Sequence, residues 1–155
     1  MIIQRWQSVL LLVSAAVMAW FTFLSLGQVT LADYTFNFTS LGFQSEGIPT
    51  DGSQELEIKT WYFFMLSLTT VVLILIDIFL FKNLRLQKKV CLVSLLFVVA
   101  SGAVGGCLGY SCIQGGYMGW SSVALAPFIA IIGLICAYNR MCADERLLKS
   151  ADRLR

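Results

Sequence analysis

The sequence has no histidine. That excludes imidazole-ligated haem, histidine-rich zinc sites and Ser-His or Cys-His catalysis, all of which need an imidazole as ligand or base. Charge is scarce as well. Only 13% of the 155 residues are Asp, Glu, Lys or Arg, where a soluble domain carries about 25%. A chain that is 58% hydrophobic, with a mean hydropathy of +0.79, has too few charges to clothe an ordinary globular surface. Eleven basic against nine acidic residues, a net +2, provide no basic face of the kind nucleic acid requires. Two prolines and long apolar runs argue against a disordered tail protein. These absences leave a small membrane protein.

Four apolar runs are present, over residues 6–26, 61–81, 90–110 and 120–138. A run of about 20 residues, rising 1.5 Å each, spans a hydrocarbon core of about 30 Å. One such helix could be buried in a soluble core, but four in one short chain would leave nothing to cover them. A signal peptide with Arg5 as its basic head is the other reading of the first run. That run is long for such a segment, and no small-x-small cleavage site follows it.

The charges between the runs set an orientation. The loop 27–60 holds Asp33, Glu46, Asp51, Glu55 and Glu57 against Lys59, a net −4. Lys82, Arg85, Lys88 and Lys89 fill the second link, the third link is uncharged, and the tail 139–155 is rich in Arg and Lys. Ten of the eleven basic residues thus fall on one side and Lys59 on the other. The positive-inside rule then puts both termini in the cytoplasm, and four spans agree with that in parity.

The first outer loop carries two period-2 patterns, Tyr34, Phe36 and Phe38 in one stretch and Leu56 and Ile58 in another. Alternation of this kind reads as strand. The segment 42–53 between them is rich in Gly, Ser, Pro and Asp and reads as loop. The expected fold is therefore all-α and integral to the membrane. It is one domain over 1–155: a four-transmembrane-helix bundle, a two-stranded β ribbon in the first extracytoplasmic loop, and a short amphipathic helix in the tail.

Chemistry-bearing residues are few. Asp77 is the one formal charge inside a run, and an intramembrane acid points by default to function. It lies five residues from Lys82, about 7 Å inside the inner boundary by helical rise, and Thr70 shares its face. The two define a candidate polar site. One reading is a proton or cation site. The plainer one, favoured because no second intramembrane charge continues a pathway, is an acid held by a neighbouring donor, with Ser8, Ser94 and Tyr138 at the same depth. Gly102, Gly105, Gly106 and Gly109 in the third run and Ala130 and Gly133 in the fourth form a candidate packing face, since small residues let helices approach closely in lipid. Packing of the third helix on the fourth within one chain is preferred to a homodimer seam. Cys107 and Cys112 are a candidate disulfide, with small buried hydrophobes the favoured alternative. Cys91, Cys136 and Cys142 lack a fourth ligand for a metal, and no cofactor is expected. In the tail, Arg146, Lys149 and Arg153 share a basic face that suits an anionic leaflet or a partner.

The opening residues Met1 to Gln7 and the closing run from Asp144 to Arg155, above all Ser150-Ala151-Asp152-Arg153-Leu154-Arg155, resemble a domain-of-unknown-function family of four-helix inner-membrane proteins from Bacteroidota. The resemblance implies a location and a layout, but no reaction and no catalytic residues. The layout is also similar to that of claudin-type tetraspan proteins, although this outer loop contains no cysteine. The expected function is that of a non-enzymatic accessory or scaffold protein in the bacterial inner membrane. Its expected partners are the lipid bilayer and another inner-membrane protein or a second copy, with no nucleic acid. A small transporter or lipid-handling protein built on Asp77 and the glycine-rich third helix is the alternative.

Overall fold

Apolar runs of membrane length leave the backbone no partner but itself, and helices satisfy that locally. The computed structural model describes residues 2–31, 34–45, 60–112 and 117–152. Four long helices dominate it: α1 (Ile2–Phe23), α2 (Trp61–Phe79), α3 (Leu84–Cys112) and α4 (Ala126–Asp152). All four are long and apolar enough to cross a membrane. Each packs on two neighbours in the ring order α1–α2–α3–α4, with α4 closing on α1.

The buried positions recur with a coiled-coil period. On α2 they are Phe63, Ser67, Thr70, Ile74 and Asp77, and on α3 Gln87, Cys91, Ser94, Val98 and Ser101. Spacings of four and three alternate, the seam of left-handed helix packing. The seam is unusually polar, while Leu12, Val13, Val72, Ile76, Leu96, Val99, Ile132 and Ile135 face outward. In the interior, Ser67, Thr70, Ser94 and Ser101 each donate to a carbonyl three or four residues earlier in their own helix, so their burial leaves no hydroxyl proton unpaired.

The α1–α2 and α3–α4 connections differ from the sequence reading. They form a four-stranded antiparallel sheet in the order β3–β2–β1–β4, from Gly27–Leu31 (β1), Tyr34–Thr39 (β2), Gly42–Ser45 (β3) and Tyr117–Trp120 (β4). The alternating segment at Tyr34–Thr39 is a strand as expected, but its hairpin partner is β3, in the stretch read as loop. Gly42 at φ 147° supplies the turn into it, a backbone region that side chains disfavour. The predicted strand around Leu56 and Ile58 lies outside the described residues. β4 comes from the third link and the start of the fourth run, and pairs Gly27 with Trp120 through Thr30 with Tyr117. Period-2 patterning over four residues, two of them aromatic and one glycine, was too short to register.

The sheet is fastened to the bundle. Phe38, fully buried, stacks on Phe43 at 4.9 Å and on Phe63 of α2 at 6.4 Å, and Phe63 meets Phe21 of α1 edge-on. Ser40 donates to Thr22 O at 2.5 Å and Thr60 to Ser40 O at 3.0 Å. At the other end, α2 passes through a 3-10 turn (Leu80–Lys82) and Asn83 directly into α3. Most of the basic second link is therefore helix. The tail is likewise a continuation of α4 to Asp152 and not a separate amphipathic helix.

Candidate functional site

Asp77 and Thr70 lie where the sequence put them, on one face of α2 and fully buried. The donors expected around Asp77 do not reach it. Thr70 donates to Leu66 O at 2.8 Å and Ser94 to Val90 O at 2.9 Å. The Cys91 thiol sits beside the carboxyl, but its hydrogen bond goes to Leu134 O, with Sγ 3.7 Å away. Gln87 approaches from α3 and donates to the Asp77 backbone carbonyl at 3.3 Å. Both Asp77 side-chain oxygens are buried without a hydrogen bond. A buried carboxyl without a donor is a high-energy arrangement wherever it occurs.

Farther toward the helix ends, two polar links join elements distant in sequence. Gln7 of α1 donates to Asp144 of α4, and Lys88 of α3 pairs with Glu145 of α4. Neither link was read from the sequence. Their signal is Gln7 standing at a buried position of α1, and an acidic pair on the face that α4 turns to α1 and α3.

The small residues divide among several neighbours and do not form a single α3–α4 face. Gly102 does face α4: a Cβ there would lie 3.2 Å from Pro127. Gly105 turns to α2, where a Cβ would stand 3.0 Å from the Phe63 ring. The Trp120 ring of β4 lies directly on Gly109, and Ser14 of α1 occupies the space a Gly133 side chain would need. Ala130 is fully buried. Gly106 alone of the five glycines has nothing within 4 Å of an added Cβ.

Gly106 opens instead onto a groove of 690 Å³ between α3 and α4 at the sheet end. Val98, Gly102, Ala103 and Gly106 form one wall and Leu125, Phe128 and Ile131 the other, while Phe21 and Leu26 reach in as its floor. Trp120, Ser121 and Ser122 close the end beneath the sheet. The glycines thus create both packing and space, which spacing alone does not separate.

The remaining candidates resolve simply. Cys107 is a free, exposed thiol. It lies on one continuous helix with Cys112, and five residues of rise set their backbones about 7.5 Å apart along the axis. That exceeds the span of a disulfide, so the candidate bond is not formed; the Cys112 side chain itself is outside the described set. Cys91, Cys136 and Cys142 are free, and no metal-ligating trio gathers among the described residues. Arg146 is exposed on α4; the side chains of Lys149 and Arg153 are outside the described residues.

The fold defines a class: a four-helix bundle of membrane-length apolar helices capped at one end by a small antiparallel sheet. The chain belongs to the DUF4293 family, a domain of unknown function, whose family model matches residues 3–154. No curated protein matches it.

Proposed function

We propose that this is a multi-pass membrane protein that works by binding and not by catalysis, as an accessory or scaffold protein for another membrane protein. Membrane insertion is supported by the inverted surface, with branched aliphatic side chains outside and Ser, Thr, Gln and Asp inside. Exposed aromatic residues mark both ends: Trp6 and Phe79 at one, Trp20, Phe23 and Trp61 at the other. Trp61 and Phe79 are about 27 Å apart by helical rise, close to the thickness between interfacial belts. Arg5, the basic residues Lys82 to Lys89, and Arg140 and Arg146 lie at the end opposite the sheet. That end is the cytoplasmic one in a bacterial inner membrane, with both termini on it and the sheet outside.

The observation that carries the scaffold reading is the sheet. It is anchored through Phe38, Ser40 and Thr60, and it still presents Tyr117, 88% exposed, and Leu41, 57% exposed, to its surroundings. A sheet already held in place loses little entropy when a partner docks. Purification from native membranes in mild detergent tests this. A stoichiometric protein partner that is lost on combined Tyr117→Ala and Leu41→Ala substitution is the expected result. Retention of the partner by the folded double variant refutes the sheet's role.

One observation favours the lipid-handling alternative, and that is the groove beside Gly106. It does not extend that reading to a transporter using Asp77. Asp77 sits beside Cys91, and Gly102 to Gly106 lie eleven to fifteen residues along α3, about 16–22 Å away. The carboxyl and the groove are two separate places.

A further inference from the structure

The geometry points to a lipid site: the groove between α3 and α4 holds the acyl chain of a glycerolipid from the leaflet on the sheet side, with the lipid's ester and headgroup oxygens beneath the sheet. The inference rests on the membrane reading above and goes beyond it in naming an occupant.

Three observations select that occupant. The first is composition. Walls and floor are aliphatic, aromatic or glycine, and no charged residue lines the groove. Polar groups occur only at the sheet end, at Trp120, Ser121 and Ser122. The Trp120 indole N–H and the Ser122 hydroxyl make no hydrogen bond to the described residues. A hydrocarbon chain with oxygen acceptors at one end matches that polarity, and donors at this level suit ester and phosphate oxygens.

The second is size. From Val98 to Gly106 the groove follows α3 for eight residues, about 12 Å. The groove's 690 Å³ lies within the usual range for a small-ligand site, about 300–1,000 Å³.

The third is access. Ala103, Gly106, Leu125 and Phe128 are exposed, so the groove opens sideways, toward lipid, and not along the bundle axis. A chain can enter it without leaving the leaflet.

Gly106→Leu is the clean perturbation. A Cβ at Gly106 meets nothing within 4 Å, so the wall accepts a side chain there and leucine takes up groove space. It also removes a helix-interior glycine, which favours folding. Wild-type and Gly106→Leu proteins would be placed in phosphatidylethanolamine nanodiscs doped with a phosphatidylethanolamine that carries a mid-chain diazirine. The labelled peptides would then be mapped after illumination. Labelling should concentrate on residues 98–106 and 124–131 and fall by about tenfold, or 1.4 kcal/mol of occupancy, in Gly106→Leu. Labels on the outward faces of α1 and α2 should stay constant and report insertion. Native mass spectrometry should show one lipid retained by the wild type and none by the variant. Even labelling of all four helices, or labelling unchanged by Gly106→Leu, overturns the site while leaving insertion intact. A wild-type dimer that Gly106→Leu dissociates gives the groove to a second copy and also overturns it. A protein that takes no label anywhere and washes off membranes in alkaline carbonate overturns the membrane reading itself.

Discussion

Replacing Asp77 by valine should stabilise the bundle. The carboxyl is fully buried and neither oxygen accepts a hydrogen bond, while Thr70, Ser94 and Cys91 all donate to backbone carbonyls. Valine therefore strands no donor. A buried polar group without a partner costs about 1–3 kcal/mol by protein mutational data, and exchange for an apolar group of similar shape recovers it. Asp and Val have similar helix propensities, and valine adds little volume, so neither term cancels the gain. The expected gain is about 1–3 kcal/mol, five- to more than a hundredfold in the unfolding equilibrium. It would be read as a shift in the midpoint of unfolding when the purified protein in mild detergent is titrated with sodium dodecyl sulfate. Asp77→Asn keeps two unpartnered polar atoms and should fall between wild type and valine. A valine variant destabilised by 1 kcal/mol or more, with asparagine neutral, refutes the reasoning, because it means the carboxyl accepts hydrogen bonds in the working protein. A stabilised valine variant that loses its cellular role would show a carboxyl kept for function at the expense of stability.

Gly133→Leu should destabilise by about 1–3 kcal/mol through overpacking against Ser14, with Gly106→Leu as a neutral control in the same titration; equal behaviour of the two contradicts the packing assignments. A double-mutant cycle on Lys88 and Glu145, whose side chains are 20% and 23% exposed, should yield a coupling of about 0.2–1 kcal/mol that shrinks in high salt. Removal of residues 149–155 should leave an inserted, folded bundle, because the tail's links to α1 and α3 are made earlier, at Asp144 and Glu145; rapid degradation of the truncated chain would show otherwise. A reporter fused after Arg155 should be active only in the cytoplasm and one inserted at Gly47 only outside; the opposite pattern reverses every side proposed.

Much of the helical plan was legible because it depends on quantities a single sequence carries. Run length against 1.5 Å per residue is enough to find four helices, and it located α1 and α2 to within a few residues. Their ends were less legible. Polarity marks where a helix leaves an apolar environment, not where its hydrogen bonds stop. Arg85, Lys88 and Lys89 were therefore read as a link, although they form the first turns of α3, and the tail was cut from α4 at Asn139. The sheet failed for a different reason. β4 is four residues long and exists through pairing with β1 some ninety positions earlier, and local patterning is blind to a partner so distant.

The site residues show the same limit more sharply. Burial of Asp77 and Thr70 followed from a shared helical face, which spacing determines. What surrounds them did not, since Ser94 was assigned by depth and depth says nothing about which carbonyl a hydroxyl already serves. The glycines of α3 are the clearest case. Spacings of three and four say that residues share a stripe, but a helix in a ring of four touches two neighbours, and a small rotation decides which of them each residue meets. Gly102 and Gly105, three apart, turn to α4 and α2, while Gly106, one position on, touches neither. A glycine with a side chain pressed onto it and a glycine bordering open space are identical in sequence. They differ only in whether the facing side chain reaches across. The Phe63 ring does so at Gly105. Opposite Gly106, Leu125 and Phe128 turn outward and leave the groove between.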